Sequence, residues 1–292
     1  MTDFDIKYAQ YQKIFEEYLA SFCDKLVCEP PILKESLVYS LKLGGKRIRP
    51  VLMLAFAELF GLENSKVLNF ALALELIHTY SLIHDDLPEM DNDDFRRGKP
   101  SNHKVFGVGN AVLAGDGLLN TAYSILFNEC FNGNEHVSAA KYICDCAGIG
   151  GMIAGQSADL LHENDESVDE DVLDFIHRNK TAKLIMAACV PPSILCSGKY
   201  YSEIKTFSCD LGCLFQLTDD ILDVEGSFEN MGKSIGKDST DGKYTAVRLY
   251  GLPDCKLRAD LFTDRCLKML DGINGDTQFL KQLVYFVRHR IN

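Results

Sequence analysis

One stretch constrains this chain more than any other. From Ser65 to His84, apolar side chains fall on nearly every face of a helix: Val67, Leu68, Phe70, Leu72, Leu74, Leu76, Ile77, Tyr80, Leu82 and Ile83. A helix that is apolar all round must be enclosed by other elements. Helical periodicity dominates the rest of the chain as well. It predicts helices over 4–23, from Pro30–Pro31 to about Leu43, from Pro50 through Phe60, and over 108–130, 134–161, 168–180, 182–197, 201–224, 239–250, 253–272 and 276–289. Ser167 and Glu170 have the spacing of a capping box before the helix at 168, and Pro191–Pro192 should kink or break the helix they fall in. No alternating strand pattern is visible. The fold expected is all-α, a multi-helix bundle around one central apolar helix. No linker or composition break divides the chain, so residues 1–292 are expected to form a single domain.

Charge and cysteine usage exclude several classes. The net charge of −12 makes non-specific nucleic-acid binding a poor reading, since that rests on Lys and Arg neutralising phosphates. No apolar run reaches the roughly 18 residues of a membrane span. The polar, acidic start MTDFDIKYAQ is unlike a targeting peptide, and a cytoplasmic protein is expected. The 11 cysteines include no CxxC pair and only a lone CxC at Cys144 and Cys146, so buried, reduced thiols are expected rather than a disulfide framework or a zinc site.

Five segments carry candidate chemistry. In His84-Asp85-Asp86-Leu87-Pro88-Glu89-Met90-Asp91, three carboxylates follow the apolar helix, and Pro88 prevents its regular continuation. The chain must bulge there, which can return Asp91 toward Asp85. Hard oxygen ligands with open positions suit Mg²⁺ shared with substrate phosphates, and Arg96 and Arg97 just beyond can fork onto phosphate oxygens. In Gln216-Leu217-Thr218-Asp219-Asp220-Ile221-Leu222-Asp223, Asp219 and Asp223 share a helix face and repel unless a cation sits between them. Gly44-Gly45-Lys46-Arg47-Ile48-Arg49-Pro50 joins glycines, cations and a helix start, an anion-binding combination. Lys180-Thr181 and the loop Gly232-Lys233-Ser234-Ile235-Gly236-Lys237-Asp238 add weaker cationic signals. A solvated acidic loop, a basic turn and a basic helix end are the ordinary alternatives for these segments taken singly.

Together these segments resemble the trans-isoprenyl diphosphate synthase family, and most closely its bacterial farnesyl diphosphate synthases. The resemblance runs from about Leu41 to Arg248 through seven ordered motifs: GGKRIRP at 44–50, ELIHTYSLIHDDLPEMDNDDFRRG at 75–98, AVLAGDGLL at 111–119, GGMIAGQSADL at 150–160, HRNKTAKLI at 177–185, FQLTDDILD at 215–223 and GKSIGKD at 232–238. It implies an all-α bundle around a deep central cavity, usually a homodimer. The reaction implied is head-to-tail condensation of isopentenyl diphosphate with dimethylallyl or geranyl diphosphate, giving farnesyl diphosphate and pyrophosphate. By the same resemblance, Asp85, Asp91 and Asp219 bind several Mg²⁺ ions with Asp86 and Asp223 assisting. Arg96, Lys180 and Lys233 contact the allylic diphosphate, and Gly45, Lys46, Arg49, His78 and Arg97 hold isopentenyl diphosphate. Thr181 and Gln216 line the carbocation, and Arg290 helps close over the second substrate. No nucleic acid and no stable membrane insertion are implied.

Tyr80 lies five residues before Asp85, about 7.5 Å deeper along a helix axis. With Ser81 beside it, the pair resembles the chain-length position of fifteen-carbon synthases, whereas a geranylgeranyl diphosphate synthase tends to carry a small residue in place of Tyr80. Ordinary core packing is the alternative for such an aromatic. A terpene cyclase fits poorly, because 219–223 is a complete DDxxD and residues 44–49 would have no role. A non-catalytic partner subunit should have lost part of an acidic motif. A di-iron bundle needs two Glu-x-x-His pairs and two further glutamates, and only Glu75 and His78 form such a pair.

Overall fold

The computed structural model describes residues 2–163, 165, 167–225 and 244–290. Helix α1 spans Asp3–Lys25, closed at its start by a reciprocal Thr2–Asp5 capping box. Helix α2 (Pro31–Lys42) opens on a proline, and α3 (Ile48–Leu59) follows the glycine turn. The apolar stretch forms α4, Leu68–Asp85. It packs against α1, α2 and α3, and also against α6 (Val108–Glu129), α7 (Asn134–Ala147) and α10 (Lys183–Leu195). The enclosure demanded by its apolar faces is therefore met.

Between α4 and α6 lie a two-residue antiparallel ribbon, β1 (Phe95–Arg96) with β2 (Lys99–Pro100), and the short helix α5 (Asn102–Phe106). The sequence carries no strand signal there, since a ribbon this short has no room for alternation.

The helix predicted over 134–161 is two helices, α7 and α8 (Met152–Leu161), separated at Gly148–Gly151. The chain doubles back so tightly that a Cβ on Gly151 would sit 2.1 Å from the Cys146 carbonyl oxygen. Helix α9 (Glu170–Ile176) starts from Asp169, whose side chain accepts from the Val172 N–H. Ser167 does not cap it; its own N–H and hydroxyl donate to Asp165 instead.

Residues His177–Ala182 form a π-helical segment between α9 and α10, where one continuous α-helical register was expected to 180. Two glycines make room for it: a Cβ on Gly155 of α8 would lie 2.1 Å from the Lys180 backbone nitrogen, and one on Gly212 would lie 2.4 Å from the Ala182 Cα. Helix α10 then runs through Pro191 and Pro192 without a break. Helix α11 (Tyr201–Glu225) packs on α10, on the π segment, on α13 (Leu252–Asp271) and on α14 (Gln278–His289). Of the helix expected over 239–250, the described residues hold Ala246–Tyr250, here α12; residues 239–243, and Lys233 with its loop, lie outside the described residues. All 11 cysteines are free. No described helix is long and apolar enough to cross a membrane.

Candidate active site

The two acidic segments sit at the C-terminal ends of α4 and α11, and α10 packs against both helices. After α4, Pro88 forces the chain into a tight loop in which the Asp91 N–H donates to the Asp85 carbonyl at 2.8 Å. Asp91 thus returns to Asp85. Asp85 also accepts from the Gln156 amide. Asp86 turns inward: it is 2% exposed and clamps the Arg96 guanidinium, whose Nε donates to it at 2.9 Å. Burial alone would lower the Arg96 pKa, but the bond to Asp86 and the charges of Asp86, Asp85 and Asp91 outweigh it and raise it.

A buried cationic nest adjoins this segment. Arg47 is held between Glu16 and Glu75, each at 2.7 Å, so Glu75 is a partner of Arg47. Arg97 leans onto the glycine turn and donates to the Gly44 carbonyl; a Cβ on Gly45 would stand 2.7 Å from its guanidinium carbon. Gly45, at φ 121°, therefore serves both the turn and the close approach of Arg97. Arg49 is buried, makes no ion pair among the described residues, and has an Nε without a hydrogen-bond partner. Burial pushes it down to about 10. Burial, followed by the charges of Arg49, Arg97, Arg96 and Arg47, holds His78 well below the ordinary histidine range, so it sits neutral among cations. Lys46 is lowered by burial and by the nearby Arg290, with Asp219 opposing. Uncompensated buried cations are costly unless an anion joins them.

The second acidic segment meets the same nest. Asp219 forms an ion pair of 2.6 Å with Arg290, which also donates to the Phe215 carbonyl and lies 3.8 Å from the Phe215 ring centroid. Asp223 follows one turn later. On the π segment, Lys180 pairs with Asp159, and Thr181 donates to the Gln216 Oε1 at 2.6 Å. Gln216 Nε2 in turn donates to Asp220 at 2.9 Å. The structure thus brings Thr181 and Gln216 together, and places Lys46 and Arg49 within electrostatic reach of Asp219.

Three residues of this site lie in motifs the sequence reading quoted but received no role there: Gln156, Asp159 and Asp220. The first two share a face of α8 three residues apart, and their partners emerge only when the fold puts α8 beside both Asp85 and the π segment. Tyr80 is buried, its ring 5.7 Å from that of His84 in an edge-on contact, and burial with the neighbouring Tyr123 pushes its hydroxyl up to about 12. The Ser81 hydroxyl donates to the His78 carbonyl at 2.9 Å.

Among the described residues, no three His, Cys, Asp or Glu side chains are gathered closely enough to cage a metal by themselves. What they offer is carboxylate oxygen in two separate groups, beside buried cations. That donor set fits Mg²⁺, which takes one or two carboxylates and completes its shell with water and phosphate.

Similarity to known proteins agrees with this arrangement. The chain is 40% identical over 290 residues to a farnesyl diphosphate synthase of Bacillus subtilis, covering 97% of this chain and 96% of that one. It is 42% identical over 254 residues to a chloroplastic geranylgeranyl pyrophosphate synthase of Capsicum annuum, covering 86% of this chain and 69% of the relative. Its fold superposes with a TM-score of 0.85 on a Helicobacter pylori geranyltransferase crystallised with magnesium and isoprenyl diphosphate, at 30% identity and covering 98% and 97% of the two chains. The polyprenyl synthetase family model matches residues 30–270, a span that holds both acidic segments and the cationic nest, and the chain belongs to that family.

Proposed function

We propose that this protein is a prenyltransferase that condenses isopentenyl diphosphate with dimethylallyl or geranyl diphosphate, releasing pyrophosphate and farnesyl diphosphate. The observation that carries this reading is the juxtaposition of Arg49, buried without an ion-pair partner among the described residues, with neutral His78, Arg97, Lys46 and Asp219. One anionic group belongs in the nest, and a second, cation-bridged one belongs at the aspartates.

In this reading Gly45, Lys46, Arg49, His78 and Arg97 hold the diphosphate of isopentenyl diphosphate. Neutral His78 contributes an N–H without adding charge. Arg96 and Lys180 hold the allylic diphosphate, each pre-positioned by its own carboxylate, Asp86 or Asp159. Asp85, Asp91, Asp219 and Asp223 would hold Mg²⁺ ions, which would supply Lewis-acid neutralisation of the charge on the departing pyrophosphate. The hydroxyl of Thr181 and the amide carbonyl of Gln216 direct oxygen dipoles at the allylic cation, a preorganised electrostatic contribution. Apolar α4 lines the hydrocarbon tail, and Tyr80 with Ser81 sets where it stops. Phe127 and Phe131, 66% and 78% exposed at the end of α6, supply an apolar surface for a homodimer.

Incubating the purified protein with isopentenyl and geranyl diphosphates and Mg²⁺, then separating the products by chromatography, tests the reading. A fifteen-carbon diphosphate is expected. Absence of any carbon–carbon coupling would overturn it.

A further inference from the structure

Asp220 is the one carboxylate of the second acidic segment that the substrate and metal roles above leave unused. It is 3% exposed and lies at the meeting point of three elements. Its Oδ1 accepts from Gln216 Nε2 at 2.9 Å, its Oδ2 accepts from the Ala246 N–H at 2.8 Å, and His177 Nε2 of the π segment lies 3.4 Å from Oδ2.

The chemistry of these groups fixes a direction. A carboxylate only accepts hydrogen bonds, and an amide side chain has one donating and one accepting end. The end of Gln216 that meets Asp220 must therefore be its NH₂. That leaves the Gln216 carbonyl facing Thr181, at 2.6 Å from its hydroxyl oxygen. Between a hydroxyl and a carbonyl only the hydroxyl can donate, so the single proton of Thr181 is committed to Gln216. The remaining lone pairs of the Thr181 oxygen point elsewhere.

We infer that Asp220 is a positioning residue that sets the polarity of a relay, Thr181 to Gln216 to Asp220, so that the Thr181 hydroxyl presents lone pairs and not its proton to a developing allylic cation. The inference rests on the prenyltransferase reading for the identity of the cation. The relay's direction rests on the hydrogen bonds alone.

Asp220→Asn is the discriminating change because it keeps shape and reverses direction. The Ala246 N–H still demands an oxygen, so the new amide must turn its NH₂ toward Gln216. Gln216 must then flip, its own NH₂ meets the Thr181 oxygen, and the hydroxyl proton is released toward the site. An attractive dipole becomes a repulsive one. Loss of a preorganised transition-state dipole typically lowers turnover by about 100-fold or more.

The experiment begins with wild-type protein and the coupling assay. If wild type forms no coupled product, the prenyltransferase reading fails and the relay has no cation to serve. If wild type is active, the expected result for D220N is a kcat about 100-fold lower, with KM for both substrates, Mn²⁺ affinity by electron paramagnetic resonance, and the melting temperature all little changed. Wild-type kcat in D220N overturns the inference. So does a kcat restored by excess Mg²⁺ alongside weakened Mn²⁺ binding, which would make Asp220 a metal ligand. In a Gln216→Met background, where the relay is already cut, D220N should add no further loss; an equal loss in both backgrounds also overturns it. Should D220N fail to fold, Asp220→Ser decides, since a hydroxyl no longer dictates which end of Gln216 it meets. A lower kcat with unchanged KM and Mn²⁺ affinity supports the relay, and a wild-type kcat refutes it.

Discussion

Arg290 forms a 2.6 Å ion pair with Asp219, the first carboxylate of the second acidic segment. A side chain expected to close over a substrate is here the counter-ion of an expected metal ligand. Arg290→Ala should therefore bind Mn²⁺ more tightly than wild type in the absence of substrate. Asp219 is half-exposed, so the pair is worth only about 1 kcal/mol, roughly fivefold in affinity. Titration followed by electron paramagnetic resonance reads it, and an unchanged dissociation constant would remove Arg290 as a competitor.

The adjacent aspartates Asp85 and Asp86 should fail in different ways. Asp86→Ala leaves the buried Arg96 guanidinium with a longer, 3.4 Å contact to Asp93 in place of its clamp, and breaking a buried pair by removing one partner costs up to about 3–5 kcal/mol. It should appear first as a lower melting temperature. Asp85→Ala leaves that pair intact and should lower kcat by about 100-fold or more with a modest change in melting temperature. Thermal denaturation beside steady-state kinetics separates the two, and equal melting temperatures for both variants would contradict the assignment.

Tyr80→Ala should release product at least one isoprene unit longer than wild type. Removing a buried aromatic costs about 3–5 kcal/mol when nothing fills the space, so the variant is assayed at low temperature. A folded, active variant that stops at the wild-type length would make Tyr80 a core residue only.

His78 gives the fold an acid-sensitive point. Its folded-state pKa lies well below the ordinary 6.5, through burial and then the surrounding arginines. The unfolded chain thus takes up a proton that the folded chain refuses. Stability is intact above pH 6.5 and falls as pH drops below it, with a slope approaching about 1.4 kcal/mol per pH unit for this one group. His78→Gln should flatten that part of the profile in denaturant titrations at pH 5, 6 and 7. Parallel profiles for the two proteins would refute it.

Much of this was legible because it is local. Asp91 returns to Asp85 since Pro88 leaves the chain little choice, and α4 is enclosed because its residues are apolar on every side. What was hidden depends on residues distant in sequence. Nothing in HRNKTAKLI announces a π segment; Gly155 and Gly212 make the space for it, one on each neighbouring helix. Gln156 and Asp159 gain partners only when α8 folds against Asp85 and Lys180. Ser167 and Glu170 had the spacing of a cap, but Asp169 lies nearer and takes the role.

The glycines flanking the π segment bear on attempts to toughen this protein for use. Replacing helical glycines with alanine is a standard stabilising tactic, worth about 0.4–1 kcal/mol where the backbone tolerates it. By secondary structure alone, Gly155 and Gly212 would head any such shortlist. Both would drive a methyl group into the backbone of the segment that carries Lys180 and Thr181. Gly109 of α6, with nothing within 4 Å of its added methyl, is where the same edit can succeed.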